Sequence, residues 1–127
     1  MKRSLYDQLN MQNPWSDLIN SQQPHIANCD VNAIKAMPPE LQGCLKLELF
    51  PEPFIGNPDA KIYLLNGNPG FHENDKFFLK SPKYKKALKD TLELQANSFL
   101  YLDSGTCTFN NITHPGYENW DKIMKNV

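Results

Sequence analysis

The sequence predicts an α/β domain built on a parallel sheet, and three observations carry that expectation. In "AKIYLLN" (60–66), Ile62, Tyr63, Leu64 and Leu65 form a continuous apolar run. Such a run is what a strand buried on both faces presents in a parallel sheet. "SFLYLD" (98–103) is a second run of the same kind. Between them, Tyr84, Ala87, Leu88, Thr91, Leu92 and Gln95 keep helical spacing behind Ser81-Pro82, a cap followed by a proline suited to the first helical turn. Strand, helix and strand in that order predict a right-handed βαβ unit.

The remaining elements are fitted around that unit. Residues 1–44 read as a mainly helical layer, with Leu5, Leu9, Trp15, Leu18, Ile19, Ile34, Met37 and Leu41 as its scattered apolar groups. "PWSDLIN" predicts a short helix near Pro14, and "DVNAIKAM" another, capped by Asp30 and stopped by Pro38. "CLKLELF" (44–50) alternates Leu45, Leu47 and Leu49 with polar residues and predicts a half-exposed strand ended by Pro51 and Pro53. "THPGY" reads as the turn that opens a last helix, on which Tyr117, Trp120, Ile123 or Met124, and Val127 form one stripe. All of this fits one domain over residues 1–127, with the βαβ core and terminal helix in 45–127.

Composition bounds the function. The chain has 127 residues, is 40% hydrophobic and carries a formal charge of −1, so any nucleic-acid site must come from local charge. No apolar run approaches the roughly 18 residues of a membrane span, and "MKRSLYDQLNMQNPW" lacks the apolar stretch of a signal peptide. A cytoplasmic protein without a membrane partner is expected. Cys29, Cys44 and Cys107 make no CxxC pair and are expected as reduced, mostly buried thiols, with no metal or other cofactor. The GxxxxGK[ST] phosphate loop is also missing, which argues against a phosphate-binding protein of that type.

The candidate site is the stretch "LLNGNPGF" (64–71), which leaves the carboxyl end of the first apolar run, the sheet edge where ligands bind in open α/β folds. Gly67 and Gly70 permit positive φ and close approach of a ligand to the main chain. Pro69 stiffens the loop and keeps Asn68 out of the helical region. Asn66 and Asn68 both donate and accept hydrogen bonds, so either can orient a water or read a base edge. A plain tight turn uses the same residues, and the spacing leaves both readings open. Phe71, Phe77 and Phe78 follow closely enough to supply a stacking ring, with core packing as the alternative. His72 is expected in solvent or on a phosphate or base, His25 in a structural or surface role, and Glu73 and Asp75 as solvated carboxylates. Lys80, Lys83, Lys85, Lys86 and Lys89 crowd the start of the central helix. Lysines are unfavourable there for stability, so they form either an anion site for phosphate or a solvated face.

With those residues in view, "PEPFIGNPDAKIYLLNGNPGF" (51–71) resembles the first motif region of the uracil-DNA glycosylase superfamily, in its Asn-Pro-Gly form. The resemblance implies a three-layer α/β/α fold and a DNA-repair hydrolase that breaks the N-glycosidic bond of a damaged base. It implies that Asn68 positions the attacking water, that Pro69 and Gly70 supply loop backbone, and that a flipped base packs on an aromatic ring. The family's second motif is not found before residue 127, so the likeness covers only the N-terminal part of such a domain, or a minimal form. The expected function is therefore binding of a nucleobase, nucleotide or DNA at the Asn68 loop, with bond hydrolysis where the site is complete. The alternative is an inactive module that docks a protein partner or a second copy through Tyr117, Trp120 and Met124.

Overall fold

Ser81 starts the central helix as its sequence predicts. Its hydroxyl accepts from the Tyr84 amide at 3.3 Å, and Pro82 occupies the first helical position of α4 (Pro82–Leu92). In the computed structural model, which describes residues 13–64 and 70–126, this helix is the axis of the core. Tyr84, Leu88, Thr91 and Leu92 are its buried residues, a stripe of helical period that turns the lysines outward. The helix ends sooner than its apolar spacing suggests. Leu94 adopts φ 57°, and the amides of Leu94 and Gln95 turn back to Thr91 O at 3.1 Å and Asp90 O at 2.7 Å. That is a Schellman closure with leucine in the position glycine usually takes. Leu94 is itself buried, and burial of its side chain offsets the strain of a left-handed backbone.

The described residues form four further helices, the short α1 (Val31–Ala36), α2 (Pro39–Gln42) and α3 (Asp75–Phe78), and the terminal α5 (Pro115–Lys125), as long as α4. Single 3-10 turns lie at Leu18–Asn20 and Leu100–Leu102, and both pack on α4. The core joins Leu18, Ala27, Phe78, Tyr84, Leu88, Leu92, Leu100, Tyr101 and Cys107, with Trp15, Phe99, Tyr117 and Trp120 packed against it. The two segments expected as short helices in the N-terminal part are present as the Leu18–Asn20 turn and α1, which ends just before Met37-Pro38; residues 1–12 lie outside the described residues.

The parallel three-layer α/β/α core is not formed. Among the described residues the sheet consists of two antiparallel strands, β1 (Thr108–Phe109) and β2 (Ile112–Thr113), with Thr108 facing Thr113 and Phe109 facing Ile112. None of the three strands expected from the sequence is present there. In 60–64 the chain is irregular, and Ile62 (78% exposed), Tyr63 and Leu64 stand in solvent rather than between two layers. In 98–103 the backbone coils into the Leu100–Leu102 turn, burying Leu100 and Tyr101 while Leu102 faces out. Asp103 then diverts the chain: its carboxylate accepts from the Gly105 amide at 3.0 Å and from the Thr106 hydroxyl at 2.6 Å. In 44–50 a turn closes from Leu49 N to Lys46 O at 3.0 Å, and Leu47 O accepts from His25 N at 2.8 Å. A short apolar run does not distinguish a strand from any other buried segment unless neighbouring strands are there to complete its hydrogen bonds.

The hairpin that does form has a local cause. Asn110 and Asn111 take φ 48° and 62°, the left-handed pair a type I′ turn needs. Cys107 is buried and its thiol donates to Leu100 O at 3.3 Å, whereas Cys29 and Cys44 are exposed in turns flanking α1 and α2, against the expectation of burial.

Candidate functional site

Five polar side chains from separate elements meet at the centre of the domain. Glu52 sits between Pro51 and Pro53, and the following proline holds its backbone extended. Its carboxylate Oε1 accepts from the Tyr101 hydroxyl, and the Tyr101 and Tyr84 hydroxyls lie 3.2 Å apart. Asp75 opens α3 and His114 caps α5. The His114 ring is enclosed by aromatic rings: Tyr84 stacks on it at 5.2 Å and 15°, Phe78 meets it edge-on at 4.6 Å, and Tyr101 lies at 5.0 Å.

The hydrogen bonds assign the histidine tautomer. His114 Nδ1 accepts from the Gly116 amide at 2.9 Å, so in the neutral ring the proton is on Nε2. Nε2 is fully buried and makes no hydrogen bond, with Asp75 Oδ1 3.4 Å away. Burial lowers the His114 pKa, the nearby Asp75 charge opposes that, and His72 adds to the lowering. The ring is therefore held neutral.

Charge is expensive here, and the carboxyl and phenols respond accordingly. Desolvation raises Glu52 from 4.5 to about 6, against the lowering effect of the Tyr101 hydrogen bond and with a smaller push from Asp75. Burial first, then the neighbouring Glu52, raises both Tyr84 and Tyr101 above the usual phenol range. Burial also pushes the Cys107 thiol up to about 12, so it is inert as a nucleophile at neutral pH.

This cluster forms the floor of an open cleft of about 1590 Å³, lined by Glu52, Asp75, Tyr84, Tyr101 and His114. Its walls are aromatic, with Phe54, Tyr63, Phe71, Phe99 and Trp120 among the lining residues. Lys46 reaches across one wall, its Nζ 4.7 Å from the centre of the Phe71 ring, within cation–π range. Among the described residues no group of three or more His, Cys, Asp and Glu side chains could hold a metal ion.

The residues singled out by sequence divide between this cleft and other places. Gly70, Phe71 and His72 line it, and so does Leu64. Asn66, Gly67, Asn68 and Pro69 lie outside the described residues. Phe77 and Phe78 serve the core: Phe78 is 0% exposed, and Phe77 packs on it edge-on at 5.6 Å and on Phe109 at 5.1 Å. Lys80, Lys83, Lys85 and Lys86 are exposed, and none of them lines the cleft. Lys86 pairs with Asp90 at 2.7 Å and Lys89 with Glu93 at 2.5 Å along α4. His25 is structural, stacked on Phe50 at 3.9 Å and joined through Nδ1 to the Ser21 hydroxyl at 2.9 Å. Asp75 is not simply solvated, since its Oδ2 takes the His72 amide at 2.8 Å while its other oxygen faces His114.

No sequence motif marks the floor itself. Glu52, Tyr84, Tyr101 and His114 are spread over more than sixty positions and share no motif. The one available signal was the pairing of polar tips with apolar neighbours: a tyrosine on the buried stripe of α4 and another inside an apolar run need buried partners for their hydroxyls.

The terminal helix docks on its own chain. Trp120 meets Phe99 at 4.9 Å and 67°, and Tyr117 packs on the core, whereas Ile123 and Met124 remain exposed. No described helix is long and apolar enough to cross a membrane. Comparisons with protein-family models, curated proteins and solved structures gave no match to this chain.

Proposed function

We propose that this protein binds a nucleobase or nucleotide in the cleft above Glu52 and Tyr101. One observation supports the reading most: Leu64 and Gly70, which bracket the Asn66–Pro69 stretch, line the same cleft as the part-buried carboxyl–phenol cluster. Residues able to read a base edge thus lie in sequence between two positions that line an aromatic cleft with a polar floor. The walls suit a flat ring, Phe71 offers an exposed aromatic face, and Lys46 is the one lysine among the described lining residues, placed to meet a phosphate. The lysine face of α4 points elsewhere, which favours a free base or mononucleotide over duplex DNA. Hydrolysis of an N-glycosidic bond rests on Asn68 and is a separate step beyond binding.

Trp120 lines the cleft and, with the second tryptophan removed by Trp15→Phe, serves as a reporter. Titration with nucleosides and nucleoside monophosphates should change its fluorescence saturably and shift NMR signals of Phe71, Tyr101 and Trp120. An unchanged spectrum at millimolar ligand would end the nucleobase reading. Incubation with uracil-containing single- and double-stranded DNA tests cleavage, and a lack of abasic product would restrict the protein to binding.

A further inference from the structure

We infer that the cleft selects a flat ring presenting two adjacent N–H donors, the edge of guanine or of an aromatic amidinium, and discriminates against a carbonyl-flanked edge such as uracil's. For nucleobases this rests on the reading above; for the chemistry of the edge it stands alone. The floor holds two carboxylates, Glu52 and Asp75, and no lysine or arginine pairs with either among the described residues. Among the described residues Glu52 is supported by phenol donors only, through Tyr101 and then Tyr84. A carboxylate in an apolar cavity without a cation is under-compensated, and a ligand that brings N–H donors supplies what is missing.

A second observation points to a ligand independently of the acids. His114 is 3% exposed, lines the cleft, and its Nε2 has no hydrogen bond. Its tautomer makes that atom a donor, 3.4 Å from Asp75 Oδ1 and short of a hydrogen bond to it, so the floor holds acceptors at Glu52 and Asp75 beside one donor without a partner. The complement is a ring edge with two donors and a neighbouring acceptor, which guanine has in its N1–H, N2–H and O6. Uracil presents one donor between two carbonyls, and each carbonyl facing a carboxylate is repelled. The inference therefore names a base edge that the sequence resemblance leaves open. The titratable groups that interact with Glu52 are Tyr101, Tyr84, Asp75 and Cys107, and Glu52 is the one among them raised to about 6.

The full chain is titrated with guanosine, uridine and benzamidine, following Trp120 fluorescence at pH 7.5 and pH 5. Guanosine and benzamidine are expected to bind at least tenfold tighter than uridine at pH 7.5, and to lose about tenfold at pH 5 as Glu52 takes up its proton. Glu52→Gln keeps the size of the side chain and an acceptor for Tyr101, and should cost those two ligands tenfold or more while strengthening uridine, whose carbonyl then no longer faces a carboxylate. The selection is overturned if uridine binds as well as guanosine, if Glu52→Gln and pH leave the affinities unaltered, or if no probe binds at millimolar concentration. Benzamidine binding that depends on Glu52, with no nucleoside bound, would keep the selection and remove the nucleobase reading. Tighter binding of uridine would do the opposite.

Discussion

Gly116 is seated against the ring of Tyr101 so closely that a Cβ on it would fall 2.7 Å from Cδ1 and 2.8 Å from Cε1. No side chain fits there, and this contact sets how far the start of α5 can move from the phenol that holds Glu52. Gly116→Ala should cost about 1–3 kcal/mol, because the ring or the helix must shift. Urea denaturation followed by Trp120 fluorescence checks this, and a variant as stable as the parent would show that the contact yields freely. The same substitution should also weaken ligand binding in the cleft, since it displaces Tyr101.

Glu52 makes stability depend on pH in a definite direction. Its carboxyl rises from 4.5 in the unfolded chain to about 6 in the folded one, so the folded state favours the protonated form. The contribution is complete below pH 4.5 and is lost as pH rises through about 6. Above that the ionised group costs the fold about 2 kcal/mol. Glu52→Gln should therefore be about 1–2 kcal/mol more stable than the parent at pH 8 and equal to it at pH 4. Matched urea curves at the two pH values decide the point, and a uniform loss at both would contradict it.

His114 works in the opposite sense. Its pKa lies below the ordinary 6.5 because burial disfavours the cation, so its contribution is present at neutral pH and is lost as pH falls below 6.5. Two roles combine in this residue, a ring packed on Tyr84 and Phe78 and an acceptor capping Gly116. His114→Ala should cost roughly 3 kcal/mol through the cavity and the lost cap. His114→Asn keeps a capping acceptor and should recover about 1 kcal/mol of that loss. Equal stabilities for the two variants would assign the whole cost to packing.

Local chemistry explains which parts of this fold the sequence revealed. Ser81-Pro82 and His114-Pro115 start α4 and α5, because a cap acceptor and a proline act on their own backbone and need no distant partner. The apolar runs at 60–66 and 98–103 carried no such local instruction. Whether Tyr101 becomes a strand residue or part of a 3-10 turn depends on neighbours to bond, and Asp103 captured the Gly105 amide and Thr106 hydroxyl instead. The floor was hidden for a related reason, since Glu52 and Tyr101 meet across 49 positions and only the finished fold brings them together. Gly70, Phe71 and His72 did reach the cleft, as loop residues placed beside it by their position in the chain.

The Asn110-Asn111 turn shows a local signal that went unused. Both residues hold positive φ, a conformation that asparagine tolerates and glycine adopts without a Cβ penalty. Asn111→Gly makes the favoured pair for a type I′ turn and should stabilise the domain by roughly 0.5 kcal/mol. A lower thermal midpoint for the variant would mean that the Asn111 side chain makes a contribution beyond the turn.

Phe71 separates a binding role from a structural one. The residue is 43% exposed, lines the cleft, and has Lys46 over its ring, so it contributes little to the core. Phe71→Ala should change folding stability by less than about 0.5 kcal/mol, as exposed positions do. Stacking of a base on an aromatic ring is worth about 1–3 kcal/mol, so the same variant should weaken nucleoside binding by about tenfold or more. Phe71→Tyr keeps the ring and should bind normally. Full affinity in Phe71→Ala would remove this ring from the site and leave Tyr63, Phe99 and Trp120 as the stacking surface.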